Sequence, residues 1–374
     1  MLSGLLYLVA ERRPWRLHAR CAGVGDFHVG VGPVTMRDWR KTLRSDPLPW
    51  LLEDDAPTVK HLALRDLLDL PETDPKVRRA RAAAMRAEPI AVILGAMKPE
   101  GYWVKPGAGY GPKYQGTVWQ VVFLDQLGAD GRDPRVRLAC RYVLEHTQTE
   151  SGGLGASSGA QDRRPSPSRV IHCLNGNLLR ALIGFGWLDD ERVQKAIDWE
   201  ARAITGEGFE RYYASGTSGP GFGCAANEKL PCAWGAIKAL LGLARIPPRR
   251  RRPHVRRAVD QGVEFLLSRD PAVADYPMGW GNTKPSGSWF KPGFPSGYVA
   301  DVLQNLEVLC ELGHGRDPRL QNAIGWLLSQ QDARGRWRNR CAYNKKTWVD
   351  IERQGQPSKW VTLRACRVLK SAAS

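Results

Sequence analysis

Thiols, one imidazole and two carboxylates are the side chains whose placement in this chain points to chemistry. Of the eight cysteines in the 374 residues, Cys173 and Cys232 stand at the starts of apolar segments. Cys224 lies in the glycine-rich stretch just before the second. Such residues offer a reactive thiolate, or a set of thiolates around zinc, which takes about four N, S or O ligands and keeps one position open where it is catalytic. His172 or Asp301 could complete that set. Asp301, with Asp350 behind it, is also the candidate catalytic carboxylate, as a proton donor if desolvation raises its pKa or as a metal ligand. Cys140, Cys310 and Cys366 fall within helical patterns and read as small buried hydrophobes.

The elements that must position these groups repeat along the chain. A loop rich in small and aromatic residues leads into an apolar helix, a short Asp-Pro or Asp-Asp turn, and an amphipathic helix. Copies begin at Thr117, His172 and Tyr298, with turns at Asp133-Pro134, Asp189-Asp190 and Asp317-Pro318. Two more first helices run Cys232–Ala244 and Trp360–Leu369, and Pro57–Leu70 with Asp74-Pro75 supplies the remaining hairpin. The first helix of each pair is apolar almost all round and must be buried on both sides, whereas the second carries one apolar stripe. Asp before Pro is helix-start chemistry. An inner ring inside an outer ring satisfies both, so the expectation is all-α: an (α/α)6 toroid over residues 46–374. In a toroid every inner helix starts at the same end, so Cys173, Cys224 and Cys232 should meet on one rim.

Residues 1–45 lack this periodicity and are expected to form a tail, with Met36 a candidate native start. The apolar run Leu5–Ala10 is too short to span a bilayer. Sparse cysteines argue against a disulfide scaffold and for a reduced, cytoplasmic compartment. The net charge of +17 could attract nucleic acid, but the basic residues are not interleaved with aromatics in a nucleic-acid signature.

Gln331, Gly335 and Trp337, at the end of the Asp317 hairpin, resemble the QW motif of terpenoid cyclases. In that family the glutamine caps an outer helix and stacks on the tryptophan, tying neighbouring repeats together. Lys229-Leu-Pro-Cys-Ala-Trp234 is similar to the zinc-binding Asp-x-Cys segment of protein prenyltransferase β-subunits, with Cys232 on the cysteine and Leu230 where the family has Asp. His172-Cys173 resembles that family's histidine-bearing helix start, though in the opposite chain order. The Asp-x-Asp-Asp acid motif of the cyclases is missing, and Glu53-Asp54-Asp55 reads as partners of a helix N-terminus.

These resemblances imply an enzyme acting on an isoprenoid or similar apolar substrate in a central aromatic cavity, with zinc as candidate cofactor. Trp119, Trp234, Trp289, Tyr298 and Trp360 are its expected walls, where aromatic faces could stabilise a carbocation. Long loops at 107–114, 208–213, 279–291 and 344–352 would line its mouth, with Lys105, Lys113, Lys284 and Lys291 placed to hold a diphosphate. A toroid that binds a lipid or protein without catalysis, and a zinc enzyme acting on thiols, are the rival readings.

Overall fold

The structure, a computed structural model, describes residues 38–155, 165–208 and 217–374. The first 37 residues, and all but the first of the expected 208–213 loop, lie outside the described residues. In chain order the helices are α1 (Leu48–Leu51), α2 (Pro57–Asp66), α3 (Pro75–Ala84), α4 (Ile90–Gly95), α5 (Thr117–Gln126), α6 (Pro134–Thr147) and α7 (His172–Gly184). They continue as α8 (Glu191–Thr205), α9 (Ala233–Ala244), α10 (Pro253–Leu267), α11 (Val302–Glu311), α12 (Gln321–Ser329) and α13 (Lys359–Ala373). Among the described residues the strands are β1 (Ser218–Gly219) and β2 (Gly223–Cys224), paired antiparallel.

Each repeat of the sequence is a hairpin in space. The inner layer is α2, α5, α7, α9, α11 and α13, with α5 on α7, α7 on α9, α9 on α11, α11 on α13, and α13 back on α2. Leu62 of α2 against Gly128, just beyond α5, closes the remaining seam. Outside them α3, α6, α8, α10 and α12 each cover the inner helix that precedes them. The molecule is an all-α toroid. The inner helices are sheathed because their composition leaves no polar face: every residue of α5 from Thr117 to Leu124 is buried. Asp74, Asp133 and Asp190 start α3, α6 and α8 by accepting hydrogen bonds from the backbone N–H two residues on, at 2.7, 2.9 and 2.9 Å.

Two boundaries differ from expectation. Asp301 caps α11, which therefore starts at Val302 and leaves Tyr298 in the preceding loop. Residues 38–45 are not a tail. Trp39 is buried, the short 3₁₀ turn Trp39–Thr42 and α1 pack on α13, and Arg44 reaches the Gln331 segment. Its backbone N–H donates to Gln331 Oε1 at 3.0 Å and its Nη1 to the Gln331 carbonyl at 2.7 Å. Trp337 is anchored by its ring N–H on the Leu327 carbonyl at 2.8 Å. Trp103 repeats that anchor on Ile93 at 2.7 Å.

Candidate functional site

Inner helices that run side by side in one direction bring their N-terminal ends, and the long connections leading to them, to one rim. Cys232 is the N-cap of α9, its Sγ accepting from the Gly235 N–H at 3.5 Å. The chain before it folds back on itself. The Cys232 N–H donates to the Phe222 carbonyl at 2.9 Å and the Cys224 N–H to Leu230 at 3.2 Å. This reversal brings the Cys224 and Cys232 thiols near one another. The bond from Cys232 outweighs burial and brings the Cys224 thiol down to about 6, with help from the Ala226 and Asn227 N–H groups and the charge of His172. Cys232, which keeps the proton, is raised by the same bond and by burial. Cys173, in the first turn of α7, is pushed up to about 12 by burial and lies near enough to feel Cys224 and Lys238. The three thiols of the sequence reading therefore share one neighbourhood.

His172 does not join them as a ligand. Its Nδ1 meets Glu200 Oε1 at 2.6 Å and its Nε2 meets the Gly219 carbonyl at 3.2 Å. Burial disfavours its charge, but the Glu200 carboxylate outweighs burial and raises the imidazole pKa. A ring that donates from both nitrogens has no lone pair left for a metal. It stands beside Cys224 with both ring nitrogens already engaged. Glu200 is itself held by Asn175 Nδ2 at 2.6 Å.

Asp301 is buried. Its Oδ1 accepts from the Gln304 backbone at 2.9 Å and its Oδ2 from the Gln304 amide at 2.9 Å. Burial raises its pKa, against the pull of the Arg364 charge and the bonds from Gln304. Asp350 stands apart, exposed, closing a loop by accepting from the Lys345 N–H at 2.7 Å. Among the described residues no group of three or more His, Cys, Asp or Glu side chains is gathered closely enough to hold a metal ion.

The aromatic residues form a wall of stacked rings. Trp119 contacts Tyr110, Tyr114 and Tyr298 at centroid distances of 5.4, 5.1 and 5.0 Å, and Tyr114 stacks on Tyr343 at 4.0 Å. Lys113 Nζ stands 5.8 Å above the Tyr298 ring. Burial raises the Tyr298 pKa. Trp234 is half-buried. Trp289 and Trp360 do not face an open space. Trp289 donates to the Pro271 carbonyl at 2.8 Å and packs on Tyr276, while Trp360 stacks on Phe294 at 4.2 Å. With Trp119, Trp289 and Trp360 no more than 4% exposed, rings fill the space expected of a pocket at these positions. Clefts of about 670 and 460 Å³ lie elsewhere, beside Lys60, Lys76 and Arg79 and beside Arg269 and Arg319.

Sequence reasoning missed the polar groups inside the ring. Lys238 of α9 is fully buried, donating to Gln304 Oε1 and to Ser296 Oγ, and desolvation lowers its pKa to about 7. Arg364 of α13 pairs with Glu307 of α11 and donates to the Gly293 carbonyl. Each had a signal: a lone charge in an otherwise apolar helix for Lys238, and a carboxylate on the apolar stripe of α8 for Glu200.

No protein-family model matches the sequence, and no curated protein matches it. Similar solved structures include the apo type II terpene cyclase MstE from Scytonema, 16% identical, covering 85% of this chain and 88% of that one with a TM-score of 0.42. An unsaturated glucuronyl hydrolase specific for heparin is 11% identical, covering 86% of each chain with a TM-score of 0.47. A protein from Actinoplanes is 15% identical, covering 79% of this chain and all of that one, with a TM-score of 0.29.

Proposed function

We propose that this chain is an enzyme acting on an isoprenoid or similarly apolar group, with its reacting groups at the thiol rim. The observation that carries the reading is the placement of Cys224 and Cys232: the chain folds back to bring two half-buried thiols together, beside His172, at the start of an inner helix. Such a pair holds Cys224 as the thiolate, the nucleophilic form, and leaves Cys232 with a proton to share. The adjoining Tyr110, Tyr114 and Tyr298 rings, half-buried over Trp119, offer apolar contact and faces that stabilise positive charge. Lys113, above Tyr298, supplies a cation for an anionic leaving group.

A second reading rests on the chain reversal that brings Cys224 back to Cys232 at the start of α9: these two, with Cys173 turned toward them, would hold zinc, which would keep its thiolates deprotonated and polarise a bound group. Limited alkylation with iodoacetamide across pH, read by peptide mass spectrometry, tests the pair. Cys224 should label first, with a midpoint near pH 6 that rises when Cys232 is replaced by Ser. Elemental analysis of protein purified without added metal tests the second reading, which requires stoichiometric zinc lost in Cys173→Ser and Cys224→Ser. A metal-free protein whose Cys224 titrates like a free thiol would leave only a binding toroid.

A further inference from the structure

The large apolar side chains that remain exposed among the described residues are Val104, Leu230, Val273, Trp280 and Trp348. Each of the five sits on a connection from an outer layer to the next inner helix. Val104 precedes α5, Leu230 precedes α9, Val273 and Trp280 precede α11, and Trp348 precedes α13. The connections at the opposite end contribute none among the described residues. Trp280 is 71% exposed, and Leu230, Val104 and Trp348 are each 38% exposed.

Two of these side chains are presented at a conformational cost. Val104 has φ +67° and Trp280 φ +63°, a region that a β-branched or bulky residue enters only when its surroundings hold it there. Trp348 and Trp280 are steadied through their ring N–H groups, on the Gln115 carbonyl at 3.0 Å and the Ala226 carbonyl at 3.4 Å. The indole edges bond to the loops, and Trp280 stays largely uncovered.

Charge accompanies them. Lys105, Lys113, Lys284, Lys291, Lys345 and Lys346 are exposed on the same connections. None makes an ion pair with a described residue in this structure. Of the carboxylates on these loops, Asp350 accepts from the Lys345 N–H, Asp332 from the Arg334 and Arg336 N–H groups and Asp270 from the Ala272 N–H, Asp275 pairs with Arg269, and Glu100 and Glu228 are exposed.

We propose that this end of the toroid docks on an anionic lipid surface, with Trp280, Trp348, Leu230 and Val104 entering the headgroup boundary and the lysines meeting lipid charge. Trp suits a surface that is apolar on one side and wet on the other. Single apolar side chains on separate loops, ringed by lysine, match a membrane boundary better than the contiguous apolar patch that a folded protein partner would need. Several lysines and several apolar anchors together supply the two signals that stable interfacial binding requires. The same end carries the thiols, so docking would put the rim against the phase that holds apolar molecules. The inference stands apart from the proposed reaction, because its test reads no turnover.

The full chain is sedimented with vesicles of phosphatidylcholine alone or mixed with phosphatidylglycerol, and its Trp emission is recorded. Binding to the anionic vesicles with a blue-shifted emission is expected, weakening as salt is raised. Replacing Lys345 and Lys346 by Gln should cost about fivefold in partitioning for each lysine. Trp280→Ser with Trp348→Ser should abolish the blue shift and weaken binding while circular dichroism and melting stay unchanged. If those serines perturb the loops, Leu230→Ser alone should still weaken binding. No binding by the folded chain, binding indifferent to all these changes, or capture by an acidic polypeptide in place of vesicles would overturn the proposal.

Discussion

Lys238 shows how one side chain can govern the pH response of the whole ring. Its ammonium is fully buried, and desolvation brings its pKa to about 7, against about 10.4 in an unfolded chain. Between those values the unfolded chain carries a proton that the native one does not, so stability must rise with pH over that window and level off below it. Urea unfolding at intervals from pH 6 to 10 should show a rise on the order of a few kcal/mol. Lys238→Met should flatten that slope, whatever it does to stability at one pH. A slope unchanged in the variant would assign the pH dependence to another group. At this scale the sequence was legible for thiols and poor for their partners. Cys173, Cys224 and Cys232 could be placed on one rim because each lies near an inner-helix start. That His172 would be spent on Glu200 depends on which turn of α8 faces α7, and side-chain spacing along a chain does not report that.

Between elements, the closest approach is α7 against α9, where glycine replaces a side chain at the contact. A Cβ on Gly176 would lie 2.3 Å from the Lys238 carbonyl oxygen, and one on Gly242 would lie 2.7 Å from that of Gly176. Backbone on both sides cannot yield as a flexible side chain can. Gly176→Ala should therefore destabilise by about 3 kcal/mol or more, the upper range of overpacking. Gly325 of α12 is the control: it is exposed and has nothing within 4 Å of its would-be Cβ. Gly325→Ala should stabilise by about 0.5–1 kcal/mol, the ordinary helix preference. Equal effects in paired denaturation curves would remove the case for a tight α7–α9 contact. In the sequence, apolar character all round marked the inner helices, and Asp before Pro marked outer-helix starts. Helix ends were harder to read, because the start of α11 is decided by the Asp301 side chain and not by the apolar pattern that begins at Tyr298.

At the scale of the whole molecule, a ring must join its last repeat to its first, and that seam was the least legible feature. The Gln331–Trp337 segment was recognised, but its partner was assigned to a tail because Trp39 and the residues after it show no helical period. The closure is made by backbone and polar groups: Arg44 on Gln331, Lys359 on Glu53 and Asp55, and Arg367 on Asp66. Gly335 is its tightest point. It has φ +69°, and a Cβ there would fall 1.9 Å from the Ser45 carbonyl oxygen. Gly335→Ala must therefore meet the left-handed penalty of about 1–2 kcal/mol and also push residues 44–46 off the loop. That displacement would break the Arg44 bonds, so its effect should not add to that of Arg44→Ala. A double-mutant cycle in chemical denaturation should give a coupling of about 0.5–3 kcal/mol, the range found for residues that share a contact. The same cycle between Gly335→Ala and Gly176→Ala, on separate seams of the ring, should be additive within about 0.5 kcal/mol. Additivity in the first cycle would mean that Arg44 and Gly335 hold the seam independently. Coupling in the second would mean that strain at one seam travels around the ring, as a closed toroid allows and an open array of hairpins does not.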